Sequence, residues 1–256
     1  MADRDFIKFL GTAGARFVVA RQLRSSAGVF LSLKGSNIIL DPGPGTLVRC
    51  AGSRPPIDPG KLDGIILTHI HIDHSNDLNI MVDAMTDGGM RRQGLLFAPE
   101  EALCGDTSIL LRYLRGFPKE IIPLREKGEY RIGEVEFSTS IRHRHGVETY
   151  GIRFDLGGRL LSFMVDTGYF PEIIESYKGS DTLVMNVVRY SKKGDLPHLS
   201  IDDVRQILEN IRPKKAILTH FGMTMLKAKP WEVAKRLSED LGIDIVSASD
   251  GMVVEV

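Results

Sequence analysis

His69-Ile70-His71-Ile72-Asp73-His74 follows directly on the apolar run Gly64-Ile65-Ile66-Leu67-Thr68. Three imidazoles and a carboxylate within six positions, at the end of a buried-strand pattern, are poorly explained as packing. A buried strand rarely delivers so many ionisable groups without a task for them. Neutral imidazole and carboxylate are donors that zinc-like cations take. Alternation along an extended chain turns His69, His71 and Asp73 the same way. A helix starting near Ser75-Asn76-Asp77 turns His74 toward a second point. The stretch therefore predicts two neighbouring metal positions fed by one loop.

Working outward, the run has an echo. Lys215-Ala216-Ile217-Leu218-Thr219-His220 repeats the apolar strand that ends in Thr-His. Two similar β-rich halves that meet at a shared seam are expected, within one domain spanning 1–256. Before the first run, Asp5–Leu10 reads as a strand and Gly11–Gly14 as a glycine turn. Ala27–Leu33 and Ser36–Leu40 form a hairpin about Lys34-Gly35, stopped by Asp41-Pro42-Gly43. Ile65–Thr68 reads as a buried strand, Ser75–Met85 as a helix and Leu95–Ala98 as a strand. A helix starts at Pro99, with proline in its first position. Ile132–Thr139, Thr149–Asp155 and Arg159–Val165 read as a meander, and Asp181–Val188 as a further strand. Ser200 and Asp203 form a capping box for a helix through Ile211. A helix over Trp231–Leu241 and strands over Ile243–Val246 and Met252–Val256 close the chain. Asp83–Tyr113 is expected to be irregular in part, covering the site or a subunit contact.

Composition excludes several classes. Hydrophobic residues make 43% and charged residues 26% of the 256, as in ordinary soluble domains. Formal net charge is zero, so no global field draws in nucleic acid or anionic membrane. No apolar run approaches the roughly 18–20 residues of a membrane helix. The N-terminus opens with acids rather than a signal core. Cys50 and Cys104 are the only cysteines, which gives no disulfide framework and no thiolate site. A cytoplasmic location is expected.

These residues together resemble the metallo-β-lactamase superfamily of binuclear hydrolases. The 69–74 run is the most specific element. His145 precedes Gly146-Val147-Glu148-Thr149-Tyr150-Gly151-Ile152-Arg153, Asp166 stands in Phe163-Met164-Val165-Asp166-Thr167-Gly168, and His220 in Leu218-Thr219-His220-Phe221-Gly222. The resemblance implies an α/β fold, an αββα sandwich of two mixed sheets flanked by helices with metals at one edge. It also implies two divalent transition-metal ions, zinc first, with manganese, iron, cobalt or nickel open. His69, His71 and His145 would hold one ion; Asp73, His74 and His220 the other; Asp166 would bridge. Alternation puts His143 on the same strand face as His145, and the downstream glycine spacing favours His145. Read by itself, Asp41 is an Asx-turn residue; the resemblance makes it a carboxylate orienting a histidine. Thr68 is expected beside the site. The competing reading of Asp166 is a helix N-cap.

Phe9–Gly14, Arg24-Ser25-Ser26 and Ile39–Gly43 are similar to the tRNase Z and phosphodiesterase branch. The resemblance implies a metal-dependent phosphodiesterase acting on a small or nucleotide-derived substrate. Asp73 and His198 would be catalytic, His198 as the acid that protonates the leaving alkoxide. Endoribonuclease action on an RNA 3′ end is the alternative. The interval from His145 to Asp166, however, leaves no room for the long basic arm of that enzyme. The compact spacing is closer to the PhnP-type cyclic phosphodiesterase, which carries an N-terminal cysteine zinc site; here no cysteine precedes Cys50. A third reading is a non-hydrolytic metal or redox protein. It lacks the acidic residue that di-iron relatives carry where His71 stands. Arg144, Arg189, Lys192 and Lys193 are the basic residues near the motifs. No membrane partner is expected; a homo-oligomer stays open.

Overall fold

The computed structural model describes residues 5–192, 194 and 196–256, so Lys193 lies outside the described residues. Two seven-stranded sheets are stacked face to face. The first contains β1 (Phe6–Phe9), β2 (Val29–Leu33), β3 (Ser36–Leu40), β4 (Gly64–Ile66), β5 (Leu95–Pro99), β6 (Glu120–Leu124) and the last strand, β14 (Val253–Glu255), in the order β14-β1-β2-β3-β4-β5-β6. The second contains β7 (Glu129–Ile132), β8 (Val135–Arg142), β9 (Tyr150–Asp155), β10 (Leu160–Met164), β11 (Thr182–Asn186), β12 (Lys215–Thr219) and β13 (Asp244–Ser247), in the order β13-β12-β11-β10-β9-β8-β7.

Alternation decides what lies between the sheets. Ile7, Phe9, Leu31, Ile38, Ile66 and Phe97 meet Phe137, Ile152, Phe154, Phe163, Val184 and Ile217 in one buried cluster. The opposite faces of the same strands are apolar too, so each needs a helical cover. On the first sheet, the helix Leu78–Met85 supplies Leu78, Met81, Val82 and Met85. On the second, the helix Ile201–Ile211 buries Val204, Ile207 and Leu208 at helical spacing, and the helix Pro230–Leu241 buries Val233, Ala234 and Leu237. The start of Ile201–Ile211 is fixed as its sequence indicates: Ser200 accepts from the Asp203 amide, and Asp203 accepts from the Ser200 amide at 2.9 Å. Removing such a cap costs about 1 kcal/mol. Among the described residues, no helix is long and apolar enough to cross a membrane.

The topology explains why chemistry gathers at one edge. β3 to β6 run parallel, as do β10 to β13. Parallel strands bring their C-terminal ends to one side, where open α/β sheets place their ligands. The chain leaves β3 at Asp41, β4 toward His69, β8 toward His145, β10 toward Asp166 and β12 toward His220.

Several local expectations are corrected. The strand expected over Ile132–Thr139 is two strands, because Gly133 takes φ 55 and turns the chain. Pro99 caps its helix from outside rather than occupying the first turn. A short helix, Ala15–Ala20, follows the glycine turn, and Ile173–Tyr177 and Met223–Lys227 are further short helices. All three lack the length that makes a periodic pattern legible. Asp83–Tyr113 combines the end of the helix Leu78–Met85, a turn, β5, a short helix at Glu100–Leu103 and a 3-10 turn.

Candidate metal centre

His69 and His71 leave β4 on an extended segment, and the helix starts earlier than the sequence indicated, at Ile72–Ser75. That early turn overrides the alternation. Asp73 swings away from His69 and His71 and joins His74 instead. The donors fall into overlapping groups whose atoms lie within 4.8 Å of one another. One is His69, His71 and His145; another is Asp73, His74 and His220; a third is His145, Asp166 and His198. Asp166 stands between them. Its Oδ2 is 3.4 Å from His145 Nε2, 3.7 Å from His74 Nε2 and 3.6 Å from His198 Nδ1, and its Oδ1 is 3.2 Å from His220 Nδ1.

Hydrogen bonds around the rim assign the tautomers. Thr68 donates its hydroxyl to Asp41 Oδ2 at 2.8 Å, so it accepts from His69 Nδ1 at 3.0 Å. His74 Nδ1 donates to the same Asp41 oxygen at 2.9 Å. His145 Nδ1 donates to the Pro197 carbonyl at 3.0 Å. The Nε2 lone pair of each ring therefore points inward. There, His74 Nε2 faces His220 Nε2 at 3.0 Å, and His145 Nε2 faces His71 Nδ1 at 2.9 Å. His69 Nε2, His198 Nδ1 and His220 Nδ1 are buried with no hydrogen-bond partner. Orphaned inward nitrogens are costly unless a cation lies among them. The donor set, all nitrogen and oxygen, fits divalent transition ions.

Electrostatics agree. Asp41, Asp73 and Asp166 bring three carboxylates to one largely buried locus. Burial would raise the Asp166 carboxyl, but the charges of His220 and His74 and a hydrogen bond from His74 outweigh it and hold it well below the usual range. Asp73 is lowered likewise, burial being overcome by His220 and His74. Burial and the neighbouring His74 push His69 down, so it stays a neutral donor. His74 is the exception. Burial opposes its charge, yet Asp41 and Asp166 raise it well above normal.

Asp41 is not an Asx-turn residue. Its oxygens accept from the Thr68 amide at 2.7 Å, the Thr68 hydroxyl and His74, and none goes to its own turn. Asp166 caps no helix; the next one begins at Ile173. His143 is buried and lies outside the donor groups. Its Nδ1 donates to the Asp166 carbonyl at 3.1 Å, and Nε2 accepts from the Tyr177 hydroxyl at 2.9 Å. Arg189 is buried and holds the Leu196 and His198 carbonyls, so it braces the loop. Arg144 is exposed and lies over Phe170, and Lys192 is exposed.

Sequence reasoning missed Asn186, whose Nδ2 donates to Asp166 Oδ1 at 2.9 Å. The available signal was register, since Asn186 ends β11 opposite Thr219 of β12. Gly14, read in the sequence as part of a glycine turn, lies against the site. A Cβ there would lie 2.2 Å from the His220 carbonyl oxygen, so only glycine lets the chain pass under that histidine.

Residues 36–221 match the family model described as Beta-lactamase superfamily domain. The chain belongs to the beta-lactamase superfamily. In this domain the His/Asp clusters suit a metal site at the sheet edge, as in a metallo-hydrolase. Uncharacterized protein MJ1374 of Methanocaldococcus jannaschii is 26% identical over 98% of this chain and 94% of its own length. Ribonuclease Z of Methanopyrus kandleri is 30% identical over 60% of this chain, and the aligned stretch spans about half (51%) of that relative. Among solved structures, the metallo-beta-lactamase fold protein YhfI of Bacillus subtilis superposes with a TM-score of 0.82 at 18% identity, covering 99% of this chain and 100% of that one. A diphosphatase of the PhnP family gives 0.72 at 20% identity, with 99% and 98% covered. At such identities these two superpositions establish the fold alone.

Proposed function

We propose that this protein is a binuclear metal-dependent phosphodiesterase acting on a small or nucleotide-derived phosphodiester. The observation that carries the reading is the position of Asp166, whose two oxygens lie within 3.2–3.7 Å of inward nitrogens from both halves. His69, His71 and His145 would hold one cation, and Asp73, His74 and His220 the other. Asp41 and Thr68 would keep the rings of His74 and His69 oriented. When bound, two such cations supply Lewis-acid polarisation of the phosphoryl group and acidify an attacking water.

The chain's own residues supply the rest. The rigid strand ends fix the donors, and positioning is the larger part of in-line displacement. His198, about one-fifth exposed and beside Asp166, is the candidate acid for the leaving oxygen. Burial lowers it to about 4, and the negative charge of an arriving phosphodiester favours its protonated form. The His198→Ala variant is expected to lose alkyl diester hydrolysis while largely keeping aryl diester hydrolysis, because an aryl oxide leaves without a proton. Equal loss on both removes the acid role. The first test of the whole reading is metal analysis of purified protein, then a screen of bis-aryl and cyclic phosphodiesters before and after chelation. A folded protein that takes up no transition ion overturns it.

RNA 3′-end cleavage is the second reading, favoured by the partial alignment with ribonuclease Z. It would show as cleavage of tRNA precursors that falls steeply with salt. Both readings are compatible with a cytoplasmic protein.

A further inference from the structure

We infer that the outer face of the first sheet carries a second binding site, for an organic oxyanion with a flat apolar body. β1 alternates, sending Ile7 and Phe9 into the core between the sheets. Lys8 therefore points to the other face, between Phe30 of β2 and Val253 of β14. Nothing in the strand pattern calls for a cation there. Lys8 is only 8% exposed. Among the described residues its ammonium has no hydrogen-bond or ion-pair partner. An ammonium that touches solvent and has no partner in the fold is available to an anion.

Two depressions meet at this side chain. One, of about 390 Å³, is walled by Phe6, Phe30, Pro55 and Ile57. Its size is that of a small-ligand pocket, and its surface is mostly apolar, with Ser32, Asn37 and Lys61 also at the lining. The other, of about 280 Å³, is lined by Lys8, Arg49 and Arg54. Arg54 borders both. Arg49 is held in place by donating its Nε to the Leu10 carbonyl at 3.1 Å. The one carboxylate at the rim, Asp58, is already engaged, accepting from the Gly60 amide at 3.0 Å and lying 4.0 Å from Lys61. An apolar slot beside three cations fits a ring or short chain that ends in phosphate or carboxylate. None of these residues belongs to the metal centre, so the site is independent of the proposed activity.

The probe is 8-anilinonaphthalene-1-sulfonate, titrated by fluorescence against the full-length protein, wild type, Lys8→Met and Arg54→Gln. Saturable one-to-one binding is expected for wild type, weakened at least about tenfold by Lys8→Met and several-fold by Arg54→Gln. Inorganic phosphate is expected to displace the probe; added acetate then tells a phosphate-selective head site from a general oxyanion site. The diesterase activity of Lys8→Met should stay within about twofold of wild type. Unchanged probe affinity in Lys8→Met, or no displacement by either anion, overturns the inference. Arg54 is exposed, so Arg54→Gln carries the same test if Lys8→Met does not fold; its unchanged affinity then counts against the site.

Discussion

The two Thr-His strand ends reach the same site by different means. After β4, one continuous loop supplies His69, His71, Asp73 and His74, and Asp41 with Thr68 braces two of the four rings and carboxylates from behind. After β12, the chain supplies His220 alone, with φ 59, packed on the close-passing Gly14. The second sheet makes up the difference with single residues: His145, Asp166 and Asn186 from separate strand ends, and His198 from the loop before Ser200. One half is built by local sequence, the other by strand register. A local motif shares its support, so damage to one brace spreads to several donors. A register-built half distributes support, so each brace affects one donor.

Asp166 tests this comparison most severely, because it touches both halves. Replacing it by Ala should remove bound metal from two equivalents toward none, with activity down by at least about a thousandfold, the scale on which a single electrostatic stabiliser acts. His71→Ala should instead leave roughly one equivalent. Metal analysis by mass spectrometry on dialysed samples distinguishes them. If Asp166→Ala keeps one full equivalent, the carboxylate serves one half only.

Asp41 comes next. It accepts from both Thr68 and His74, so Asp41→Asn disturbs His69 and His74 together. Metal affinity is expected to fall about 10–100-fold, as for other carboxylates that orient ligating histidines. Competition with a chelator of known affinity measures it. The matching change in the other half is Asn186→Ala, which removes one neutral hydrogen bond to Asp166. A net value of about 1 kcal/mol corresponds to a loss of about five- to tenfold. Equal losses from the two variants would erase the asymmetry.

The same asymmetry governs what could be read in advance. His69 to His74 stand together in the chain, and their donor chemistry is visible without a fold. His220 was visible because Leu218-Thr219-His220 repeats Leu67-Thr68-His69. Asp166 and His145 carry no local signature; a family resemblance singled them out, and the stacked sheets are what bring them within reach. Asn186 and the Pro197 carbonyl stayed hidden, since an asparagine at a strand end and a backbone oxygen look like nothing in sequence. The apolar runs made most of both sheets legible, but not the partly exposed edge strands Glu120–Leu124 and Glu129–Ile132. The short helices at Ala15–Ala20, Ile173–Tyr177 and Met223–Lys227 were not, because five or six residues span less than two turns.

The smallest expected effect probes the deepest brace of the register-built half. Tyr177 is fully buried and donates to His143, which in turn holds the Asp166 carbonyl. Gly151 makes room for it, since a Cβ there would fall 1.7 Å from the Tyr177 hydroxyl oxygen. Tyr177→Phe keeps the ring and removes only the hydroxyl, leaving the buried His143 Nε2 without a donor. Stability should drop by about 1–2 kcal/mol, the cost of one unsatisfied buried acceptor, read from denaturant unfolding of the metal-free protein. Activity should change only a few-fold, because the carbonyl of Asp166 is held at second hand and its carboxylate is held by its own contacts. A loss as large as that of Asp41→Asn would mean that this chain of hydrogen bonds sets the carboxylate's position, and that the second half has a shared brace after all.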